Sequence, residues 1–263
     1  ARSLWNGGRV GLVRYHPGRS KMEDILGDIK DVRPTFLKAV PKFLEQLQVA
    51  ARMEQDYRLN ILGGRVHTII CGAGAVTESV MEFYRSCFLY KGGTDDVPVN
   101  FIMGYGSTEV GNLAVNRKML PHVHWKLVEQ SGFGTDRGEG QLAVKTGEMM
   151  FSGYDGNAEK TREAFDADGF YLMGDIVRIT WPAGAPAGWS PTEPWAGGDV
   201  LVDVLGRAGS SIKTCSGKWI AVEGLEDMYR SAPGVRYVMV YGDMRHDRVV
   251  AVVDPERDPE RYD

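Results

Sequence analysis

Long apolar runs, paired cysteines and a strong excess of one charge are missing from this sequence of 263 residues. No run approaches the roughly 20 apolar residues of a membrane-spanning helix, so we expect no membrane span. The 35 acidic and 31 basic residues leave a net charge of −4. This balance gives no general attraction to nucleic acid or to an anionic membrane, so neither partner is expected.

Cysteine is scarce as well, with Cys71, Cys87 and Cys215 scattered along the chain. An odd number of isolated cysteines favours reduced, mostly buried thiols and a cytoplasmic location. No Cys/His pair has the spacing of a zinc site. His122 and His124 would share one face of a strand, but as a metal pair they lack a third ligand.

The amino terminus lacks both an initiator methionine and the apolar core of a signal peptide. We therefore expect the chain to be a piece of a longer protein. An apolar content of 43% suffices for a sizeable core. The length predicts one large domain, or one domain plus part of another.

Hydrophobic periodicity predicts alternating helices and strands over the first hundred residues. The predicted helices cover 21–31, 41–53 and 77–88, and the predicted strands cover 36–40 and 66–71. From residue 122 onward, short apolar segments between glycine turns predict mainly strands. These are 122–129, 140–145, 147–152, 170–173, 176–179, 199–205, 235–241 and 248–253, with helices at 157–165 and 222–231.

Two segments stand apart from this pattern. Trp181–Gly198 is rich in Pro, Gly, Ala and Trp and is predicted as a surface loop, long enough to have a function. Gly206–Ser211 is polar and glycine-containing, which predicts a flexible break and a candidate domain boundary. In the helix beyond that break, Leu225, Met228 and Tyr229 are expected to face inward.

The segment with the clearest chemistry is Gly104-Tyr105-Gly106-Ser107-Thr108-Glu109, which follows the apolar run Phe101–Met103. Glycines let the backbone approach a ligand closely. Hydroxyls suit phosphate oxygens, and a carboxylate suits Mg²⁺ that is shared with substrate phosphates. The pattern predicts a strand that ends in a nucleotide-contacting loop, although an ordinary turn would have the same composition.

Two further places could contact a ligand. Gly72–Ala75 follows a β-branched run and precedes a helix, as ligand-binding turns of α/β folds do. It fits a dinucleotide fingerprint only loosely, so an oxidoreductase is a competing interpretation. Asp175 follows Gly174 at a strand break, where it is either a turn residue or an acceptor for two ribose hydroxyls.

The order of the motifs resembles the adenylate-forming superfamily, which includes acyl-CoA synthetases and adenylation domains. Residues 101–109 resemble its Gly-Tyr-Gly-x-Thr-Glu signature. Further motifs follow in the family's order at 138–142, 151–154, 159–161, 168–175 and 206–226. Within the superfamily, residues 104–111, 125–128, 240–242 and 251–253 are most similar to long-chain acyl-CoA synthetases and, more closely, to adenylation domains of carboxylic acid reductases.

This resemblance implies an α/β adenylate-forming fold. Residues 1–205 would form the C-terminal portion of the large AMP-binding domain, with mixed sheets, helices and a small β-barrel-like section. Residues 206–263 would form the hinge and the beginning of a small α+β C-terminal domain.

The resemblance also implies a two-step reaction. A carboxylic acid is activated with ATP to an acyl-adenylate and is then transferred to a thiol, either of CoA or of phosphopantetheine on a carrier-protein domain. Thr108 and Glu109 are the expected catalytic residues, and Glu109 is the expected Mg²⁺ ligand. The expected ATP/AMP contacts are Gly72, Ala73, Gly74, Gly104, Tyr105, Gly106, Ser107, Thr108, Asp175, Arg207 and Lys213.

Within this set, Tyr105 would lie against the adenine and Asp175, assisted by Arg207, would bind the ribose. Lys213 would approach the nucleotide from the domain boundary. The expected acid pocket includes Val110, Gly111 and Asn112. Because these residues are small or neutral, an apolar fatty or aryl acid is expected.

Some family features differ here. A phosphate loop ending in Pro-Lys-Gly and a late catalytic lysine are not in this sequence. Met173 stands where the family has Thr, Gly209 where it has Asp or Lys, and Cys215–Lys218 keeps only the glycine of a Ser-Gln-Gly-Glu segment. We therefore expect the chain by itself to adenylate poorly. A degenerate, non-catalytic nucleotide-binding or interaction module is the alternative.

Overall fold

The computed structural model describes residues 21–52, 62–72, 76, 78–87, 89–92, 95–216, 219–230 and 232–255. The chain divides into two units, residues 1–104 and 105–263. The domain boundary expected near residue 206 stays a prediction, as does the barrel-like section. No helix among the described residues is both long and apolar enough to span a bilayer.

In the first unit, helices accompany a parallel sheet. Phe36 pairs with Thr68, and Thr68 pairs with Asn100, so the strand order is β1-β2-β5. The elements are α1 (Lys21–Val32), β1 (Phe36–Ala39), α2 (Pro41–Arg52), β2 (Thr68–Cys71), α3 (Glu78–Cys87), β3 (Leu89–Gly92), β4 (Asp95–Pro98) and β5 (Asn100–Ser107). These bounds confirm the predicted helices and strands within a few residues.

Apolar side chains at helical spacing explain the core of this unit. Leu44 and Leu47 on α2 are fully buried, together with Ile69 on β2 and Tyr84 on α3. The Tyr84 hydroxyl donates to the carbonyl of Leu44 at 2.7 Å. A buried hydroxyl needs such a partner, so this bond joins α3 to α2.

The second unit is dominated by an antiparallel sheet with the strand order β6-β7-β12-β10-β9-β8-β11. Its elements are β6 (Gly111–Val115), β7 (Lys118–Met119), β8 (His124–Val128), β9 (Glu139–Lys145), α4 (Ala158–Glu163), β10 (Tyr171–Thr180), β11 (Trp195–Ala196) and β12 (Leu201–Arg207). Short 3₁₀ turns lie at 135–137, 147–149 and 208–210. Most side chains of β8, β9 and β10 are buried or partly buried, so these three strands carry much of the core of this unit.

A buried lysine holds the turn that leads into β10. Lys126 on β8 is 9% exposed, and its Nζ lies 2.9 Å from Asp166 Oδ2 and 2.6 Å from Asp168 Oδ2. The same ammonium lies 4.9 Å from the centre of the Phe170 ring. A buried charge is tolerated when it is paired in this way, and the pairing fixes the start of β10.

The segment 181–198 is only in part the irregular surface loop that was expected. Its residues 182–188 are exposed, but Trp195 pairs with Trp125 in the sheet. The ring of Trp181 lies 6.3 Å from Trp125, 5.8 Å from Trp189 and 5.7 Å from Trp195. Aromatic packing therefore anchors this segment to the sheet.

The last part of the chain contains β13 (Ser211–Lys213), β14 (Trp219–Ala221), α5 (Val222–Arg230), β15 (Val235–Tyr241) and β16 (Val250–Pro255). The predicted pairing of the last two strands is confirmed, with Val238 opposite Val253. The expectation that Met228 and Tyr229 face inward is wrong, because their side chains are 65% and 42% exposed. Helix α5 instead contacts β15 through Glu226, whose carboxylate accepts from the Val240 amide at 2.8 Å.

Glycine caused three errors in the predicted strands. The break expected at Gly174 is a bulge inside β10, where the pairing register shifts. The break expected at 206–211 begins later, because β12 continues through Gly206 to Arg207 before the 3₁₀ turn at 208–210. The strand expected at 147–152 is a 3₁₀ turn followed by irregular chain, because Gly147 adopts a φ of +60°.

The cysteines match expectation in part. Cys71 and Cys215 are free thiols. Cys71 is buried, and burial raises its pKa to about 11. Cys215 is exposed, so the expectation of burial is wrong for this residue.

Candidate active site

The central segment differs from the expected loop in one respect. Strand β5 does not end at Met103 but continues through Gly104, Tyr105 and Gly106 to Ser107. The turn of Thr108 and Glu109 follows and leads into β6. A Cβ atom added at Gly106 would lie 2.0 Å from the Gly111 carbonyl oxygen. Glycine is therefore required where these two strands approach each other.

A tyrosine, an aspartate and an arginine meet in the second unit. The Tyr105 hydroxyl donates to Asp175 Oδ2 at 2.8 Å. Arg207 Nε lies 3.1 Å from Asp175 Oδ1. Asp175 and Arg207 are direct cross-strand partners on β10 and β12, so the sheet register sets this pairing. Arg207 Nη1 also donates to the Met173 carbonyl at 3.4 Å.

Burial changes the pKa values of Asp175 and Tyr105. The side chain of Asp175 is 8% exposed, whereas that of Arg207 is 59% exposed. Burial raises the pKa of Asp175, although the hydrogen bond from Tyr105 and the charge of Arg207 oppose the shift. The pKa of Tyr105 lies well above its usual value, first because of burial and then because of the neighbouring Asp175 charge. Tyr105 is therefore a hydrogen-bond donor at neutral pH.

The pKa of Glu109 is lowered, in contrast to that of Asp175. The chief cause is the Ser107 hydroxyl. Hydrogen bonds from the Glu109 backbone amide and from Tyr154, together with the charge of Lys160, act in the same direction, whereas partial burial opposes them. The Tyr154 hydroxyl donates to Glu109 Oε1 at 3.2 Å. The Glu109 carboxyl is therefore ionised at neutral pH, and its oxygens can act as ligands for a cation.

Tyr154, which donates to Glu109, is also hydrogen-bonded to a further tyrosine, Tyr171. The hydroxyls of Tyr154 and Tyr171 are 3.2 Å apart, and Tyr171 is only 7% exposed. Neither tyrosine was given a role from the sequence, although the Gly153-Tyr154 pair was noted as a motif. Contacts between residues 45 positions apart leave no local signal, so only the fold reveals them.

These side chains fit Mg²⁺ only with help from a substrate. Among the described residues, no group of three or more His, Cys, Asp or Glu side chains could hold a metal ion. Glu109 is thus a single hard ligand, which suits Mg²⁺ that takes its remaining ligands from phosphates and water. Ser107 Oγ is buried and makes no hydrogen bond of standard geometry, so the hydroxyl that lowers the pKa of Glu109 is also suited to donate to a phosphate oxygen.

The other residues that were expected to contact the nucleotide lie in several different places. In the first unit, Gly72, which follows β2, lies next to Gly104 within β5, since a Cβ added at Gly72 would lie 3.3 Å from the Gly104 carbonyl oxygen. Ala73 and Gly74 lie outside the described residues. Thr108 is exposed. The nucleotide contacts of all these residues stay predictions.

Lys213 has a different neighbour from the one expected. It lies on β13, with its ammonium 5.6 Å from the centre of the Trp219 ring. No hydrogen bond or ion pair within the described part of the chain joins it to Asp175 or Glu109. Its approach to a nucleotide therefore stays a prediction.

Comparison with known proteins gives this geometry a family. Residues 2–155 match the family model described as AMP-binding enzyme. The chain is 30% identical to a carboxylic acid reductase of Mycobacterium tuberculosis over 97% of its own length and 22% of the relative's. It is 27% identical to the rat long-chain-fatty-acid–CoA ligase 6 over 97% of its own length and 39% of the relative's.

A solved structure agrees with these relatives. The A-PCP didomain of carboxylic acid reductase from Segniliparus rugosus, in complex with AMP, is similar with a TM-score of 0.67 and 29% identity. The match covers 89% of this chain and 32% of that one. The mixed α/β fold is thus that of an adenylation domain, of which the chain forms a part. On the strength of the family model and these relatives, the chain belongs to the AMP-binding enzymes of the adenylate-forming superfamily.

Proposed function

We propose that this chain is part of an enzyme that activates an apolar fatty or aryl acid with ATP. A carboxylate oxygen of the acid bonds to the α-phosphorus while the bond to the bridging oxygen breaks, so acyl-adenylate forms and pyrophosphate leaves. A thiol sulfur then attacks the acyl carbon, a thioester forms, and AMP departs. Positioning and charge neutralisation carry most of the catalysis in such reactions.

One observation supports this proposal above all others. Tyr105, Asp175 and Arg207 come from three different strands and converge within hydrogen-bonding distance in the same unit as Glu109. A carboxylate has about four lone-pair positions. Asp175 therefore keeps acceptor capacity for two vicinal ribose hydroxyls beyond its bonds to Tyr105 and Arg207.

Each side chain then has a simple task. Asp175 accepts from the ribose, and Arg207 keeps that buried carboxylate charged. Tyr105 presents its ring to the adenine. Thr108 donates to the α-phosphate, and Glu109 holds Mg²⁺, which when bound neutralises phosphate charge.

The acceptor that we propose is a phosphopantetheine thiol on a carrier-protein domain, as part of a carboxylic acid reductase. The support is that a carboxylic acid reductase matches over 97% of this chain, and that its S. rugosus counterpart was solved as an A-PCP didomain. The CoA ligase relative supports CoA as the competing acceptor. Product analysis with each thiol separates the two.

The test is acid-dependent exchange of pyrophosphate into ATP by the full-length protein that contains this chain. We expect exchange with apolar acids, and we expect Glu109→Gln to reduce it at least a hundredfold, because a charged ligand of the metal becomes neutral. Asp203→Asn, which alters an exposed pair with Arg117, is the matched control and should keep activity. Full exchange by Glu109→Gln would contradict the assigned role.

A degenerate module is the second candidate, favoured by two substitutions. Met173 is 6% exposed and packs in the core where the family has Thr, so it offers no hydroxyl. Gly209 stands at the hinge position, with open space around its α-carbon. Under this candidate the full-length protein binds AMP, shows no exchange with any acid, and is unaffected by Glu109→Gln.

A further inference from the structure

We propose that Tyr154 is a positioning residue for Glu109, fixing the carboxylate in the orientation that binds the metal of Mg·ATP, and that Tyr171 supports it from behind. This inference rests on the proposed function, because only there does Glu109 hold a metal. In the proposed function, the hydroxyls of Tyr154 and Tyr171 contact neither the nucleotide nor the acid. Its evidence is a connected set of contacts within the second unit.

Glu109 is held at two points by one segment. The Phe151 amide donates to the Glu109 carbonyl at 2.7 Å, and the Tyr154 hydroxyl donates to Glu109 Oε1 at 3.2 Å. The first contact fixes the backbone of the turn, and the second fixes the side chain. A glutamate side chain has several rotamers of similar energy, so a directional donor is needed to select one.

Tyr154 itself is rigidly mounted. Its amide donates to Thr161 Oγ1 at 2.9 Å, and the Thr161 hydroxyl donates to the Asn157 carbonyl at 2.9 Å. Gly153 has a φ of +141°, and a Cβ there would lie 2.8 Å from Thr161 Cγ2. The Tyr154 ring packs against Phe151, with centres 5.0 Å apart. The ring is therefore fixed before any ligand arrives.

Tyr171 completes a directed chain of hydroxyls. Tyr154 has one hydroxyl hydrogen, which points to Glu109, so in the bond between the two tyrosines Tyr171 is the donor. The pKa of Tyr171 is raised by burial, by the Tyr154 hydroxyl and by the Glu109 charge. Tyr171 therefore stays protonated, and its donation polarises the Tyr154 hydroxyl and strengthens the bond to Glu109.

A neutral donor suits this task better than a cation. Lysine or arginine would orient the carboxylate but would also cancel the charge that attracts Mg²⁺. The nearby cation of Lys160 lies over the Tyr154 ring at 4.8 Å. Hydrogen-bond partners of metal ligands typically change metal affinity about 10- to 100-fold when they are removed.

The experiment measures metal binding directly. Mn²⁺ replaces Mg²⁺ and is titrated by electron paramagnetic resonance into the full-length protein saturated with α,β-methylene ATP, which blocks turnover. We expect Tyr154→Phe to weaken Mn²⁺ binding about tenfold, the low end of the range for such partners. Tyr84→Phe, which removes the buried hydroxyl bonded to Leu44, is the control and should bind Mn²⁺ as the wild type does.

The effects of changing Tyr154 and Tyr171 on Mn²⁺ binding should not add, because Tyr171 acts through Tyr154. Tyr171→Phe alone should weaken Mn²⁺ binding less than Tyr154→Phe, and it should have no additional effect in the Tyr154→Phe background. Additive effects of the two changes would overturn the relay through Tyr154.

Failure of this inference differs from failure of the proposed function. A wild-type protein that shows neither pyrophosphate exchange nor nucleotide-dependent Mn²⁺ binding would overturn both. A wild-type protein that shows both, with Tyr154→Phe unchanged in Mn²⁺ affinity, would overturn only the role of Tyr154. If Tyr154→Phe does not fold, as judged by circular dichroism, Tyr171→Phe decides: unchanged affinity overturns the inference.

Discussion

The Asp175 carboxyl illustrates how one residue can serve binding at the expense of stability. Its pKa is raised in the folded protein by burial. A carboxyl whose pKa is higher in the folded state stabilises the fold below its unfolded pKa, and this contribution is lost as pH rises through the folded value. At neutral pH the charged form is therefore a cost, which the bonds from Tyr105 and Arg207 only partly offset.

We predict that Asp175→Asn raises the melting temperature at pH 7 while abolishing AMP binding. The neutral amide avoids the cost of burying a charge, and each kcal/mol gained corresponds to about 2–4 °C for a chain of this size. The difference from wild type should shrink as pH is lowered toward 4. Calorimetry at several pH values, with AMP titration alongside, measures both effects. A lower melting temperature at pH 7 would contradict this account.

At the scale of elements, the segment from Gly153 to Asn157 controls how Tyr154 is presented. Its two glycines both have positive φ but differ in their surroundings. A Cβ at Gly153 would lie 2.8 Å from Thr161, whereas a Cβ at Gly156, with φ of +66°, has no atom within 4 Å. Alanine substitutions at these two glycines therefore distinguish the cost of backbone strain alone, at Gly156, from the added cost of crowding, at Gly153.

We predict that Gly156→Ala costs about 1 kcal/mol of unfolding free energy, the backbone cost of this conformation for alanine. Gly153→Ala should cost about 3 kcal/mol, since overpacking adds to the strain. Guanidinium unfolding followed by far-ultraviolet circular dichroism measures both. Equal losses would show that the Thr161 contact is unimportant.

Elements with strong local signals could be predicted from the sequence. The stripes of α1 and α2, the β-branched run of β2, the strand β15 and the short helix α4 all form as expected. Glycine was misleading because it ends a strand in one context and forms a bulge in another. At Gly174 the ladder continues on both sides, so tertiary pairing decides the outcome.

The candidate site was predictable to the extent that motifs carry it. Tyr105, Asp175 and Arg207 were singled out from the sequence, and the fold brings them together. Tyr154 and Tyr171 were not given roles, because their value lies in hydroxyl contacts across the sheet. The register of β10 against β12 creates the Asp175–Arg207 pair, and such a register cannot be read from either strand alone.

At the scale of the whole molecule, the chain spans 22% of the reductase and 39% of the CoA ligase that it matches. We predict that the 263-residue chain by itself shows no acid-dependent ATP–pyrophosphate exchange. The resemblance implies a phosphate loop and a catalytic lysine in addition to the residues described. Exchange assays on the chain and on the full-length protein, run side by side, check this, and brisk exchange by the chain would contradict it.

The packing of tryptophans has a spectroscopic consequence. All tryptophans among the described residues lie in the second unit, where Trp125, Trp181, Trp189 and Trp195 share one cluster. Intrinsic fluorescence and near-ultraviolet circular dichroism will therefore follow mainly the sheet of the second unit. A spectroscopic melt of this chain therefore follows mainly the unit that carries Asp175, Glu109 and Tyr154.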